Sequence, residues 1–298
     1  MHADVENDFI STIRSVDLDI LSVAIIITMG KTKISWAEMV WNPFVGCTRV
    51  STGCEKCYAE RFTARFSSIP GHKFEGVSRN TPNGPRWSGK VILAEKDIDQ
   101  PLRWKKPRRI FVNSISDTFH DTVPIEWLDR IFAIMTKAPQ HIFLVLTKRP
   151  HYMRDYMRSR YHFPNTAPQI GPPRNIWLGT SVENQAARNI RQPLLQQTPA
   201  ALRFLSVEPL LEEINLGNLD GISWVIVGGE SGPGARPCDI GWIRSIRDQC
   251  KSVGVACFVK QLGARPMVPG TTLRFNCFDR KGGDPAEWPN DLKVRETP

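Results

Sequence analysis

The chain has no apolar run of the ~20 residues needed to cross a membrane as a helix. Its longest, Ile20–Ile27, is eight residues long and includes Ser22. It also lacks the basic start of a secretory signal, carrying Asp4, Glu6, Asp8, Asp17 and Asp19 against Arg14 alone. Cysteine is sparse and odd in number, seven in 298 residues, which excludes a disulfide-dense scaffold. A soluble protein of a reducing, cytoplasmic compartment is expected, with its cysteines as thiols or metal ligands and no membrane partner. The content of 41% hydrophobic and 23% charged residues is that of a globular protein, with chain enough for a sizeable core.

Acidic residues are outnumbered, 30 against 39 lysines and arginines, and the pI is about 9.3. An anionic partner such as nucleic acid suits this balance. The charge is unevenly placed. Residues 1–30 carry −4 (one basic, five acidic), and the remainder carries +13 (38 basic, 25 acidic). The sign changes at Met29-Gly30. Residues 1–28 therefore read as an extension or a mis-assigned start, and 29–298 as a single domain. The basic run Arg103-Trp-Lys-Lys-Pro-Arg-Arg109, with Trp87 and Trp104 nearby, is the candidate contact with a nucleic-acid backbone.

Short, consecutively apolar segments recur at 109–113, 141–147, 175–180, 202–207, 224–228 and 255–259, with an earlier one near 38–44. Strands buried on both faces have this pattern. Helical patterns fall between them. In 125–137, Leu128, Ile131, Phe132 and Met135 share a face. In 240–253, Ile243, Ile246, Cys250 and Val253 do so, with Asp239 as N-cap and Gly254 as stop. Segment 184–197 is helical but interrupted by Pro193. The expected fold is α/β, a full or partial (β/α) barrel of parallel strands, with a doubly wound open sheet as the alternative. Proline-rich 67–108 reads as an irregular insertion after the first strand, and 264–298 as a C-terminal cap.

Ligands of parallel βα folds sit at the carboxyl ends of the strands. Here those ends carry Asn113, Ser114, Asp117 and His120, then Thr147, Lys148 and Arg149, then Ser181 and Glu183, then Ser206 and Glu208, then Gly228-Gly229-Glu230, then Lys260 and Gln261. Gly228-Gly229 reads either as a close backbone approach to a ligand or as a plain turn.

Between the first strand and a helix at about 58–66 lies Cys47-x6-Cys54-x2-Cys57, with Gly46 and Gly53 each preceding a cysteine. Thiolates bind soft metals and iron–sulfur clusters. Structural zinc wants four ligands, with His72 as the available fourth. A four-iron cluster on three cysteines leaves one iron open for a substrate or cofactor.

Trp41-Asn-Pro, Gly-Cys47, Gly-Cys54, Cys57-Tyr-Ala-Glu, Phe111-Val-Asn-Ser-Ile-Ser-Asp117, Leu146-Thr-Lys-Arg149, Ser206-Val-Glu-Pro-Leu-Leu211 and Val227-Gly-Gly-Glu-Ser-Gly232 together resemble the phage-associated three-cysteine family. That family has no known function and is grouped with the radical-SAM barrels; the resemblance covers about 29–298. It implies a [4Fe-4S] cluster on Cys47, Cys54 and Cys57 with S-adenosylmethionine on the open iron. By their position on the rim, Ser114 or Asp117 is expected to receive the methionyl amine, Lys148 the carboxylate, and Ser181 and Glu183 the ribose. Glu208, Glu230 and Lys260 face the substrate, a nucleic acid or nucleotide. The resemblance also implies a separate three-Cys-motif partner protein.

The usual cysteine spacing is C-x3-C-x2-C with an aromatic before the last cysteine. Here the first gap is six, Lys56 precedes Cys57, and Tyr58 follows it as the candidate cofactor contact. Gly228-Gly-Glu230 follows the sixth expected helix-linked strand rather than the second-strand position it usually holds. The alternative is a non-catalytic zinc- or cluster-containing protein of a phage or defence system that binds nucleic acid or a partner. Removing residues 1–28 is expected to leave the thermal unfolding midpoint of the remaining chain unchanged, as read by circular dichroism; a clear fall would make the segment part of the domain.

Overall fold

The computed structural model describes residues 32–161 and 171–298. The extension expected at 1–28 lies outside the described residues. Seven strands form one parallel sheet: β1 (Met39–Trp41), β2 (Arg109–Val112), β3 (Ile142–Thr147), β4 (Ile176–Ser181), β5 (Leu202–Val207), β6 (Trp224–Gly228) and β7 (Ala256–Gln261). Their spatial order is their chain order. A doubly wound sheet reverses its strand order at a switch point; without a reversal, successive crossovers stay on one face and the sheet curls into a half-barrel.

The main helices are α1 (Tyr58–Thr63), α2 (Ile125–Lys137), α3 (Pro150–Tyr161), α4 (Gln185–Gln196) and α5 (Ile240–Ser252), with a single helical turn at Gln100–Arg103 besides. Helix α2 buries the four residues its periodicity predicts. In α5, Asp239 caps Gly241 N at 2.7 Å, and Gly254 takes φ +70° to end the turn. Val253 falls past the helix end and is exposed, correcting its expected place in the core. Helix α4 runs through Pro193 instead of breaking there. Tertiary bonds hold it on both sides of the proline: Gln192 and Gln196 both donate to the Asn218 carbonyl, and Leu195 is fully buried.

Apolar side chains on consecutive strand residues feed two cores. Ile110, Val112, Phe143, Val145, Leu178, Leu205, Val225 and Val227 pack outward against the helices. Phe111, Leu144, Phe204, Trp224, Ile226 and Phe258 fill the concave face, with Trp36 against Phe111. The concave core occupies the amino-terminal part of the sheet, so the carboxyl ends are left for polar groups. The free edge of β7 is covered by the C-terminal segment: Val259 N donates to Val294 O, and Glu296 N to Cys257 O.

A lobe built on α1 and on short strands between residues 44 and 93 stands beside the sheet, beginning before the stretch 67–108 that the sequence marks as irregular. Ser78–Arg79 pairs antiparallel with Arg86–Trp87, and Phe44–Val45 with Ile92–Leu93. Val45, Ala59, Phe74, Val77 and Ile115 form its own small core.

Gly179 faces the concave side, where a Cβ would lie 2.5 Å from the Phe204 ring. Gly179→Ala is expected to cost about 1–3 kcal/mol through overpacking, measured by urea denaturation; an unchanged midpoint would show that the ring has room to move.

Candidate functional site

The site begins where β2 ends. Asn113 holds φ +58°, the only positive φ of a non-glycine among the described residues. Its Oδ1 accepts from Phe44 N at 3.1 Å, and its Nδ2 donates to Thr118 Oγ1 at 2.9 Å. This turn sends 114–118 across the rim. Asp117 then accepts from Phe119 N, Thr147 Oγ1, Lys148 N and Arg149 Nη1 at 3.0, 2.6, 3.0 and 3.3 Å. Both carboxylate oxygens are engaged.

Arg149 carries the connection into the cysteine loop. It donates to Thr48 Oγ1 at 2.6 Å and approaches Cys47 Sγ at 3.9 Å. His120 meets the same Thr48 hydroxyl at 2.9 Å. Burial, then the Arg149 charge, pull the His120 pKa below the usual imidazole range, so it is neutral at pH 7.

Arg236 holds the loop from the other side. It donates to Thr52 O at 2.9 Å and Glu55 at 3.2 Å, and it is clasped by Glu230 at 2.6 and 2.9 Å. Neither arginine's clamping role is signalled by the sequence. Arg149 is visible as a polar strand end and as the last residue of Leu146-Thr-Lys-Arg149, neither of which shows a clamp, and Arg236 lies in a loop with no motif.

All seven cysteines are free. Cys47, Cys54 and Cys57 are half-buried on this loop, while Cys238, Cys250 and Cys257 are buried and Cys277 half-buried elsewhere. Burial, reinforced by Asp117, pushes the Cys47 thiol up to about 12. Burial also raises Cys57, against the N–H groups of Glu60 and Ala59 at the start of α1. Among the described residues no three His, Cys, Asp or Glu side chains converge as donors to one ion.

Of the residues expected to meet a cofactor, Tyr58 and Ser114 are brought together: the Tyr58 hydroxyl donates to the Ser114 carbonyl, and Ser114 Oγ to Asn42 Oδ1 at 3.0 Å. Ser181 and Glu183 are joined through Arg191, which donates to the Ser181 carbonyl at 2.9 Å and to Glu183 Oε2 at 2.7 Å. Glu183 Oε1 is buried without a hydrogen-bond partner. It lies beside Gly53, where a Cβ would come within 3.0 Å of it. Burial alone would raise Glu183, but the Lys148 and Arg191 charges outweigh it and hold the carboxyl below the usual range. Lys148 also pulls Cys57 down, but there burial prevails.

Glu208 and Lys260 form an ion pair of 2.8 Å, with Ser206 donating to Glu208 at 3.2 Å. Glu230, expected beside them, is committed to Arg236. Gly229 is required by protein backbone, since a Cβ there would meet Leu262 O at 2.4 Å; this favours the turn reading. A cleft of about 450 Å³ is lined by Thr52, Asn184, Leu211, Glu212, Arg236, Pro237 and Trp242. None of the candidate metal, cofactor or substrate residues lines it.

The basic run 103–109 leads into the amino-terminal end of β2, at the opposite edge of the sheet. Arg103 pairs with Asp99 and Arg108 with Glu38. Trp104 packs edge-on against His141.

Residues 31–276 match the family described as "Protein of unknown function (DUF5131)". The chain belongs to the DUF5131 family. No curated protein and no solved structure matches it. The three cysteines and the polar strand ends of β2 to β7 all fall inside the DUF5131 match.

Glu183→Gln leaves buried Arg191 without its counter-charge and is expected to cost roughly 3 kcal/mol at pH 7. Because the Glu183 carboxyl titrates lower in the folded chain, its contribution is present above pH 4.5 and is lost as pH falls through the folded value. Urea denaturation of both proteins should therefore converge in acid; a constant difference would assign the loss to packing instead.

Proposed function

We propose that this chain is a radical S-adenosylmethionine enzyme whose Cys47, Cys54 and Cys57 hold a [4Fe-4S] cluster at the mouth of the half-barrel. The observation that carries the reading is the cysteine loop itself. Three free thiols are fastened over the carboxyl ends of parallel strands by Arg149 and Arg236, above a buried carboxylate oxygen that has no partner.

Three thiolates supplied by one loop are what supports this reading over a single zinc. A single zinc needs its ligands converged in one tetrahedral shell, whereas a four-iron cluster takes each thiolate on a separate iron. His72, the fourth ligand of the zinc alternative, stacks on Phe66 at 5.0 Å and accepts from Phe74 N. When bound, the cluster and S-adenosylmethionine supply one-electron cleavage of the sulfonium and a 5′-deoxyadenosyl radical.

The chain's own residues provide the setting. Lys148, which forms no ion pair among the described residues, offers an ammonium to a carboxylate. The free Oε1 of Glu183 accepts from a ribose hydroxyl. Of the two residues expected to receive an amine, Asp117 is fully engaged, whereas Ser114 Oγ keeps its acceptor lone pairs. The Glu208–Lys260 pair links the ends of β5 and β7 across β6, where both groups can face a substrate. The substrate class is a nucleic acid or nucleotide, and the association with phage and with a separate partner protein follows from the family resemblance.

Anaerobic reconstitution with iron and sulfide is expected to load about four irons per chain and to give 5′-deoxyadenosine from S-adenosylmethionine under reduction. Cys47→Ala, Cys54→Ala and Cys57→Ala should each lose both. One zinc per chain with no iron after anaerobic purification would overturn the proposal.

A further inference from the structure

The lobe beside the cysteine loop carries unneutralised positive charge nearer to the rim than the run 103–109, which lies at the amino-terminal ends of the strands. Residues 56–90 carry seven lysines and arginines against Glu60 and Glu75. Glu60 is consumed by Arg49, and Lys73 alone of the seven pairs with a carboxylate, Asp97, among the described residues. Arg61 gives its guanidinium to the carbonyls of Pro233 and Lys56, which leaves its charge intact.

Two features give this charge a shape. Tyr58, Arg61, Phe62 and Arg65 stand at i, i+3, i+4 and i+7 and so share one side of α1 and the turn after it. Both rings of this stripe are open to solvent, Tyr58 at 53% and Phe62 at 42%. Phe62 is braced behind by Phe66 and Phe74, with ring centres 5.6 and 5.7 Å away, so little freedom remains to be lost on contact. The hairpin packed against α1 through Glu60 and Thr63 carries Arg79 and Arg86 as direct cross-strand partners. Like charges in that register destabilise a hairpin, a cost that a bound anion removes. The hairpin is tied to α1 by Trp87 N donating to Glu60 at 2.6 Å.

We propose that this face binds single-stranded nucleic acid, its phosphates along Arg61, Arg65, Arg79 and Arg86 and its bases stacked on Tyr58 and Phe62. Arginines interleaved with exposed rings are the means by which proteins hold single strands without sequence preference. The stripe starts one residue after Cys57, and Tyr58 touches the rim at Ser114, so a strand lying on it leads to the mouth of the half-barrel. Only that direction rests on the enzymatic reading; the binding does not.

Fluorescence anisotropy of the full chain with a labelled oligothymidylate tests it across a salt series. Binding is expected to weaken steeply and log-linearly with salt. Phe62→Ala should weaken it about tenfold, and Arg65→Glu should weaken it and flatten the salt slope. Lys105→Glu with Lys106→Glu should leave it unchanged. Arg79→Gln with Arg86→Gln, checked for folding by circular dichroism, should weaken binding and raise the unfolding midpoint of the free protein. No binding at low salt would overturn the proposal. So would duplex held as tightly as single strand, polyglutamate held as tightly as the oligonucleotide, or Phe62→Ala without effect. Retained binding in a protein that forms no 5′-deoxyadenosine would leave this surface standing and remove only the enzymatic reading.

Discussion

Asp117 and Arg149 join two parts of the molecule that no backbone ladder connects firmly. The carboxylate gathers Thr147, the Lys148 amide and the Arg149 guanidinium at the end of β3, and the guanidinium reaches the backbone and hydroxyl of Thr48 and the sulfur of Cys47. A buried ion pair is justified energetically only when its remaining hydrogen-bonding capacity is also satisfied, and here it is. The cost of burying the pair places the cysteine loop over the rim. Arg236, held by Glu230, does the same from the far side.

The sheet makes room for this arrangement by dividing its concave face. Aromatic and aliphatic side chains fill the amino-terminal part, where Phe204 occupies the space left by Gly179. Toward the carboxyl ends the inward residues become Ser181, Ser206, Glu208 and Lys260. Their charges are tolerated there because Glu208 and Lys260 pair and both retain some access to solvent. Polarity at one end and packing at the other produce a mouth above a solid floor.

Strands were legible because consecutive apolar residues in short runs have few other solutions, and the parallel arrangement followed from their spacing. Helix α2 was legible to the residue because its pattern and its burial coincide. Pro193 was misleading because intrinsic propensity is a local quantity, while the glutamine amides and Leu195 that hold α4 together act across the fold. The three cysteines stood out by spacing. Glu230 did not stand apart from Glu208 in the sequence, since both follow a strand; only the position of Arg236 separates a clamp from a rim carboxylate. The basic run 103–109 was conspicuous by composition, yet Asp99 and Glu38 neutralise part of it and its place at the amino-terminal edge removes it from the mouth.

What the sequence determined by itself is the periodicity of burial and the local chemistry of one loop: an α/β chain with parallel strands, polar strand ends and three clustered thiols. Which strand ends meet, which carboxylates are already spent on arginines, and which positive charges stay unpaired were decided by tertiary structure. Those properties depend on partners more than a hundred residues away, as Cys47 is from Arg149 or Thr52 from Arg236. Electrostatic and hydrogen-bonding energies are set by distance in space, and only the folded chain assigns it.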